Sequence, residues 1–275
     1  MLDSGLTGKT CLITGGSTGI GLGISRALAR EGVRLAVASR NPDQGAMEEL
    51  NHLSGGNAIA IKADVSSEEG AVKMVQEAIQ RLEHLDLFVN NSARTWHQPI
   101  TRITSKAFYD TINTNLTACL WASREVARHM IPRRSGSILN VNSTVRFCPA
   151  YGESSYRISK MGLKMLMETL TIELAPFGIR VNMLTPGYYP TRLTSSIPPH
   201  IEAKLKAEIP LRRSGDPNEC GAAAVLLLSD RLSGYTTGAD IVVDGGLSLR
   251  PLPMRTDEEI AKMNISEDDG KRTEQ

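Results

Sequence analysis

Three side chains in this sequence have the types and spacing that proton transfer needs. Tyr156-Arg-Ile-Ser-Lys160 sets a phenol and an ammonium four residues apart, on one face of a helix and close enough to interact. A free tyrosine ionises at pH ~10, and a neighbouring cation lowers that value by favouring phenolate. A phenol tuned toward neutrality can give a proton to a carbonyl oxygen, or take one from an alcohol, as hydride moves at the adjacent carbon. Tyr-x-x-x-Lys is common by chance on exposed helices, so the pair needs a third partner. Ser143 supplies it, because it follows the apolar run Ser137 to Asn142, and the carboxyl ends of strands are where ligands sit in a doubly wound sheet.

The elements that must hold these groups follow from an alternation of short β-branched runs with longer helical patterns, the mark of successive βαβ units. The runs Thr10 to Thr14, Arg34 to Ser39, Ala58 to Lys62, Leu85 to Asn90, Ser137 to Asn142, Arg180 to Leu184 and Ile241 to Val243 read as strands. Each is mostly apolar, as strands covered by helices on both faces must be. Helices are predicted over Ile20 to Glu31, Asp43 to Ser54, Ser67 to Leu82, Ser105 to Met130, Ser155 to Ala175 and Asn218 to Leu228, several opened by a capping Ser, Asp or Asn. The expected architecture is a single α/β domain over residues 1–250, a Rossmann-like doubly wound sheet of seven parallel strands. Prolines 190, 198, 199 and 210 interrupt the stretch about 188–212, which reads as an inserted lid with one or two small helices. Residues 251–275 form a polar C-terminal extension in which Thr256 and Glu259 suit a capping box, and Ser266 to Gln275 have the composition of a disordered tail.

Thr14-Gly-Gly-Ser-Thr-Gly-Ile-Gly21 closes the first strand and opens the first helix, where free N–H groups and the helix dipole receive a phosphate. Gly15, Gly19 and Gly21 allow the turn and the close approach of a pyrophosphate, with Ser17, Thr18 and Ile20 around them. The adenosine ribose of a dinucleotide is met at the end of the second strand, ~20 residues on. Ser39-Arg40 stands there with no acid, so NADP(H) is favoured over NAD(H), a guanidinium being suited to the 2′-phosphate. The competing reading of Arg40 is a solvated surface charge.

With these landmarks in order, the chain resembles the short-chain dehydrogenase/reductase family from about Leu6 to Gly246. The motifs are Thr14 to Gly21, Asp64-Val65, Asn90-Asn-Ser-Ala93, Asn115, Ser143, Tyr156, Lys160, Pro186-Gly187 with Thr191, and Asp244-Gly-Gly246. The resemblance implies a catalytic tetrad: Tyr156 as general acid/base, Ser143 orienting the substrate oxygen, Lys160 holding the nicotinamide ribose while lowering the tyrosine pKa, and Asn115 holding a water that completes a proton relay. It also implies Asp64 and Val65 at the adenine, the backbone near Asn91 at the adenosine ribose, and Pro186, Gly187, Tyr189 and Thr191 at the nicotinamide. No metal is implied. Dimers or tetramers are usual in the family, with the helices containing Asn115 and Tyr156 packed on a partner's, so a homo-oligomer is expected. Two departures stand out: Ser92-Ala93 replaces the family's Ala-Gly, for which a small backbone shift is expected, and Tyr188-Tyr189-Pro190 adds bulk beside the nicotinamide.

Substrate-facing candidates are Arg94, Arg146, Tyr188 and Arg192, with Trp96, His97, Phe147, Glu153 and Arg157 nearby. Guanidiniums directed into a cleft suit a polar, sugar-like or acidic small molecule, provided that Arg94 or Arg146 faces the nicotinamide. The remaining composition narrows the alternatives. Thirty-one basic against 30 acidic residues, a net charge of +1, give no field for nucleic acid or an anionic membrane surface. Cys11, Cys119, Cys148 and Cys220 lie far apart without C-x-x-C spacing, as in a reduced, cytoplasmic protein with neither a zinc site nor a disulfide framework. No apolar run is long enough to span a bilayer. The rival readings are a non-catalytic dinucleotide sensor or scaffold, which intact Tyr156, Lys160 and Ser143 disfavour, and a cofactor-retaining epimerase or dehydratase, whose glycine loop is spaced differently.

Overall fold

The computed structural model describes residues 3–195 and 197–249. Seven parallel strands form one sheet in the order β3-β2-β1-β4-β5-β6-β7, with β1 Thr10–Thr14, β2 Arg34–Ser39, β3 Ala58–Lys62, β4 Leu87–Asn90, β5 Gly136–Val141, β6 Ile179–Pro186 and β7 Asp240–Val243. The order reverses direction between β1 and β4, so the crevice at their carboxyl ends is the natural ligand site of such a sheet. Every residue of β1, β4 and β6 is buried, which is why those runs are continuously apolar or uncharged but for Arg180.

Helices cover both faces. On one side α1 (Gly19–Arg30), α2 (Gln44–Leu53) and α8 (Pro217–Leu228) close a core of Ile13, Leu28, Leu35, Val89, Leu139 and Leu184. On the other, α3 (Glu68–Leu82), α5 (Ala118–Arg133) and α6 (Ser154–Leu174) bury Leu12, Phe88, Val126, Ile138, Met167 and Val181. Removing these side chains from water is the main force holding the layers together.

The helix predicted as continuous from Ser105 to Met130 is three pieces: α4 (Ser105–Ile112), a π-helical turn Asn113–Thr117, and α5. Periodicity carries on through such a turn, so the sequence pattern hides it. Its effect is local: an extra residue per turn turns Asn115 inward, where its side chain bonds the backbone N–H and carbonyl of Arg94 and the Ser159 hydroxyl. The inserted stretch contains one helix, α7 (Pro199–Glu208), and the short α9 (Asp230–Ser233) follows α8. The extension 251–275, with its Thr256 to Glu259 cap, lies outside the described residues.

Candidate active site

The crevice is built first from the glycine loop. Gly15 and Gly19 have φ of +67° and +53°, the left-handed region that glycine enters freely. A Cβ on Gly21 would stand 2.2 Å from the Gly15 carbonyl oxygen and 2.4 Å from Asn91 Nδ2, so only glycine fits. Asn91 is the clamp: its Nδ2 donates to the carbonyls of Thr14 (2.9 Å) and Gly15 (3.3 Å), while Thr14 Oγ1 accepts from the N–H groups of Asn91 (2.9 Å) and Ser92 (3.0 Å). Sequence reasoning had assigned Asn91 only a backbone role. The strand-end position of Asn91 beside the glycine loop was the available signal.

Asp43, Ser67, Thr104 and Asp216 cap α2, α3, α4 and α8 with side-chain hydrogen bonds, but Thr18 at the start of α1 makes none. The first-turn N–H groups of α1, including that of Ile20, are left without a side-chain cap beside the glycine loop, the arrangement a diphosphate requires. Ser17 Oγ instead accepts from the Asp43 N–H at 3.2 Å, steadying the loop against α2. At the end of β2 the Ser39 hydroxyl is buried with no hydrogen-bond partner, and Arg40 beside it is exposed. Asp64 accepts from the Ser66 N–H at 3.0 Å, and that bond, with the charges of Arg40 and Arg94, holds its carboxyl below the usual range. Val65 packs on the core behind it. An orphaned buried hydroxyl, an uncapped helix start and a backbone cradle that a Cβ would block together fit a dinucleotide.

At the other end, Ser143 leaves β5 and starts a 3₁₀ turn, Thr144–Phe147, its Oγ accepting from the Val145 N–H at 3.4 Å. Tyr156 and Lys160 project from α6, both buried, with Lys160 Nζ 5.8 Å from the Tyr156 ring centroid. Asn142 Nδ2 donates to the Lys160 carbonyl at 3.1 Å and so ties α6 to the end of β5. The expected electrostatics differ in one respect. Burial pushes the Tyr156 phenol up to about 12, opposed first by a hydrogen bond with Ser143 and then by Arg157, with no lowering by Lys160. Lys160 donates instead to the Val141 carbonyl at 2.9 Å, and its own pKa is depressed to about 8 by burial. The ammonium spends its hydrogen bond on a carbonyl and not on the phenol, so the four-residue spacing alone does not set the coupling. The Asn115 carboxamide is likewise engaged by Arg94 and Ser159.

Gly187 donates to the Val243 carbonyl at 3.0 Å, and its missing Cβ leaves room for Asp244, so the Pro186-Gly187 turn is pressed onto the end of β7. Thr191 then returns across the crevice, its methyl carbon 3.1 Å from where a Gly19 Cβ would stand. Tyr189 is buried under this strap and donates to the Val243 carbonyl at 3.0 Å. The Tyr188 phenol, raised by burial and a hydrogen bond to Glu202, fastens the strap to α7. Arg192 is exposed, its carbonyl accepts from Ser195 Oγ at 2.9 Å, and its guanidinium has no partner among the described residues.

Two substrate candidates are held in ion pairs. Arg94 pairs with Asp110 at 3.1 Å, a carboxylate it shares with Lys106, and its charge acts on Asp64 at the adenine end. Arg146 forms an ion pair with Asp240, stacks on Phe147 and is only 10 % exposed. Each guanidinium is neutralised by a carboxylate, and desolvating a paired charge for substrate would be costly. His97 lies 3.6 Å from Glu153.

A doubly wound sheet with a glycine-rich backbone cradle at its switch point and buried Tyr156 and Lys160 beside Ser143 fits a nicotinamide-dependent oxidoreductase. The family comparison agrees: a family model described as enoyl-(acyl carrier protein) reductase matches residues 15–248, and the chain belongs to the short-chain dehydrogenase/reductase family. It is 36% identical over 249 residues to a 3-oxoacyl-[acyl-carrier-protein] reductase of Chlamydia pneumoniae, covering 90% of this chain and 100% of that one. Identity to glucose 1-dehydrogenase 2 of Bacillus subtilis is 35% over 253 residues, 90% and 97% of the two chains. A crystal structure described as a putative NAD(P)-dependent gluconate 5-dehydrogenase from Beutenbergia cavernae, with bound NADP, superposes with a TM-score of 0.84 at 29% identity, over 90% of this chain and 99% of that one. The chain is therefore an NAD(P)-dependent oxidoreductase acting on the CH–OH/C=O pair of a small molecule. No helix among the described residues is long and apolar enough to cross a membrane.

Proposed function

We propose that this protein is an NADP-preferring dehydrogenase/reductase of a polyhydroxylated small molecule, a sugar or sugar acid, in which Tyr156 exchanges a proton with the substrate oxygen. The observation that carries the reading is the buried Tyr156 phenol with Ser143 bonded to it at the carboxyl end of the sheet, on the same crevice as the glycine loop. A nicotinamide bound there takes or gives hydride. Tyr156, with its phenol at about 12, holds its proton at neutral pH and is ready to donate to a carbonyl oxygen. Ser143 would orient that oxygen, and Lys160, which donates to the Val141 carbonyl, would hold the nicotinamide ribose. Asn115 acts through its backbone, its carboxamide being spent on fixing Arg94 and Ser159. Gly15, Ser17, Thr18, Gly19, Ile20 and Gly21 cradle the diphosphate, Asp64 and Val65 meet the adenine, Asn91 holds the loop in place, and Pro186, Gly187, Tyr189 and Thr191 flank the carboxamide.

Support for NADP is the unpartnered Ser39 hydroxyl beside exposed Arg40, with no acid at that strand end. For an acidic substrate, the cation left free is Arg192 on the strap, Arg94 and Arg146 being committed. Exposed Ile158, Met161, Met165 and Ile172 on α6 give the homo-oligomer an apolar contact face. Unpaired Cys11, Cys119, Cys148 and Cys220 suit a reducing cytoplasm. The test is a screen of D-gluconate, D-glucose and an acetoacetyl thioester with NADP(H) and NAD(H), followed by reduced-nicotinamide absorbance, on the wild type and Tyr156→Phe. The variant is expected to lose at least ~100-fold in turnover while NADPH affinity stays within about twofold. Undiminished turnover in the variant would remove Tyr156 from the mechanism.

A further inference from the structure

Arg157 follows the catalytic tyrosine and Glu153 precedes it by three residues, so the two bracket Tyr156 on α6. Arg157 Nε and Nη2 both bond Glu153 Oε2, at 3.0 and 2.6 Å. Its remaining Nη1 donates to the Val145 carbonyl at 2.5 Å and to the Cys148 carbonyl. Those carbonyls belong to the turn that Ser143 begins, and the turn holds Ser143 through the Val145 N–H and the Arg146 N–H. The second Glu153 oxygen faces His97 at 3.6 Å, and the Gln98 N–H bonds the Gly152 carbonyl at 2.9 Å, so the loop after β4 is drawn into the same assembly. Both side chains of the pair are mostly buried, 16% and 20% exposed.

We propose that the Glu153–Arg157 pair is a positioning device for the reaction: it pins the Ser143 turn to the catalytic helix and balances the charge felt by the Tyr156 phenol. The proposal rests on the reading of Tyr156 as the proton-transferring group. A guanidinium is the side chain that grips two carbonyls and a carboxylate at once, whereas an ammonium lacks the planar fork. An unpaired guanidinium so close to the phenol would favour phenolate, and an unpaired carboxylate would oppose it. Those are the directions in which Arg157 and Glu153 act on Tyr156. The other charged groups nearby are Lys160 on the same helix, directed at the Val141 carbonyl, and His97 from the loop after β4, facing Glu153.

The experiment needs no substrate. 3,5-Difluorotyrosine, whose acidity brings the phenol into a workable pH range, is placed at position 156 of the full chain and titrated by fluorine NMR. Glu153→Gln is expected to lower the titration midpoint and Arg157→Gln to raise it, each by roughly half a unit, the order of a screened single-charge effect from a neighbouring side chain. Glu153→Gln/Arg157→Gln together should return it to the parent value. Arg157→Lys should keep the parent midpoint yet speed amide hydrogen exchange across residues 143–148, separating charge balance from grip. Midpoints that coincide, or move in the same direction in both single variants, overturn the charge balance. Unchanged exchange at 143–148 in Arg157→Gln and Arg157→Lys overturns the pinning. Retained turnover in Tyr156→Phe would instead defeat the underlying assignment, and the titration is read independently of it.

Discussion

Lys160 should weaken the fold that contains it, and the size of the effect follows from its burial. Its side chain is 2 % exposed, and burial lowers its pKa from 10.5 to about 8. At about 1.4 kcal/mol per unit, holding the charged form inside the folded chain at pH 7 costs about 3 kcal/mol. The one hydrogen bond it makes, to the Val141 carbonyl, returns about 1 kcal/mol. Lys160→Met, which keeps the length and removes the charge, should therefore stabilise the cofactor-free protein by about 2 kcal/mol at pH 7 while abolishing turnover. The pH dependence has a definite sign. Below about 8 both folded and unfolded chains carry the lysine proton. Between about 8 and 10.5 the unfolded chain binds more protons than the folded one, so wild-type stability rises with pH. The raised Tyr156 acts oppositely above 10, but it is present in both proteins and cancels in the difference. Urea unfolding at pH 7, 8, 9 and 10, followed by circular dichroism, should show the advantage of Lys160→Met shrinking across the series. A variant no more stable than wild type at pH 7, or an advantage constant to pH 10, would refute the buried-charge account.

Arg40→Ala should cut kcat/KM with NADP roughly 10- to 100-fold, the worth of a charge-assisted hydrogen bond, and leave NAD kinetics unchanged; equal losses with both would contradict a 2′-phosphate contact. Gly21→Ala places a methyl 2.2 Å from the Gly15 carbonyl, so isothermal titration should show NADPH binding weakened at least ~10-fold in a chain that still folds. Arg180 bonds the carbonyls of Leu227 and Leu228 and the Asp230 carboxylate, joining β6 to the α8–α9 junction far from the crevice. Arg180→Met leaves those carbonyls unpartnered and should cost about 3 kcal/mol, a Tm drop of roughly 8 °C by calorimetry, with cofactor affinity unchanged.

What the sequence made legible is what short spacing encodes. The strand, glycine loop and helix from Thr10 to Arg30 lie within one βαβ unit, and the Tyr156 to Lys160 register lies within one helix, so pattern and structure coincide there. The order of the seven strands follows from the alternation, since parallel strands need crossovers and crossovers have one hand. The ion pairs of the substrate arginines were not legible because their partners are remote: Asp110 is 16 residues from Arg94, and Asp240 is 94 residues from Arg146. A lone arginine in a loop carries no mark of the carboxylate that will neutralise it, and unpaired cations near a cleft are therefore overcounted by inspection. The Lys160 contact was illegible for a subtler reason. Spacing fixes where Lys160 leaves the helix, but the direction of its ammonium is set by whichever acceptor the fold leaves unsatisfied, here the last carbonyl of β5. That choice has a functional consequence. With Lys160 bonded to Val141, the acid strength of the Tyr156 phenol is set by its burial and by the Ser143 hydrogen bond, which the helical spacing alone does not reveal.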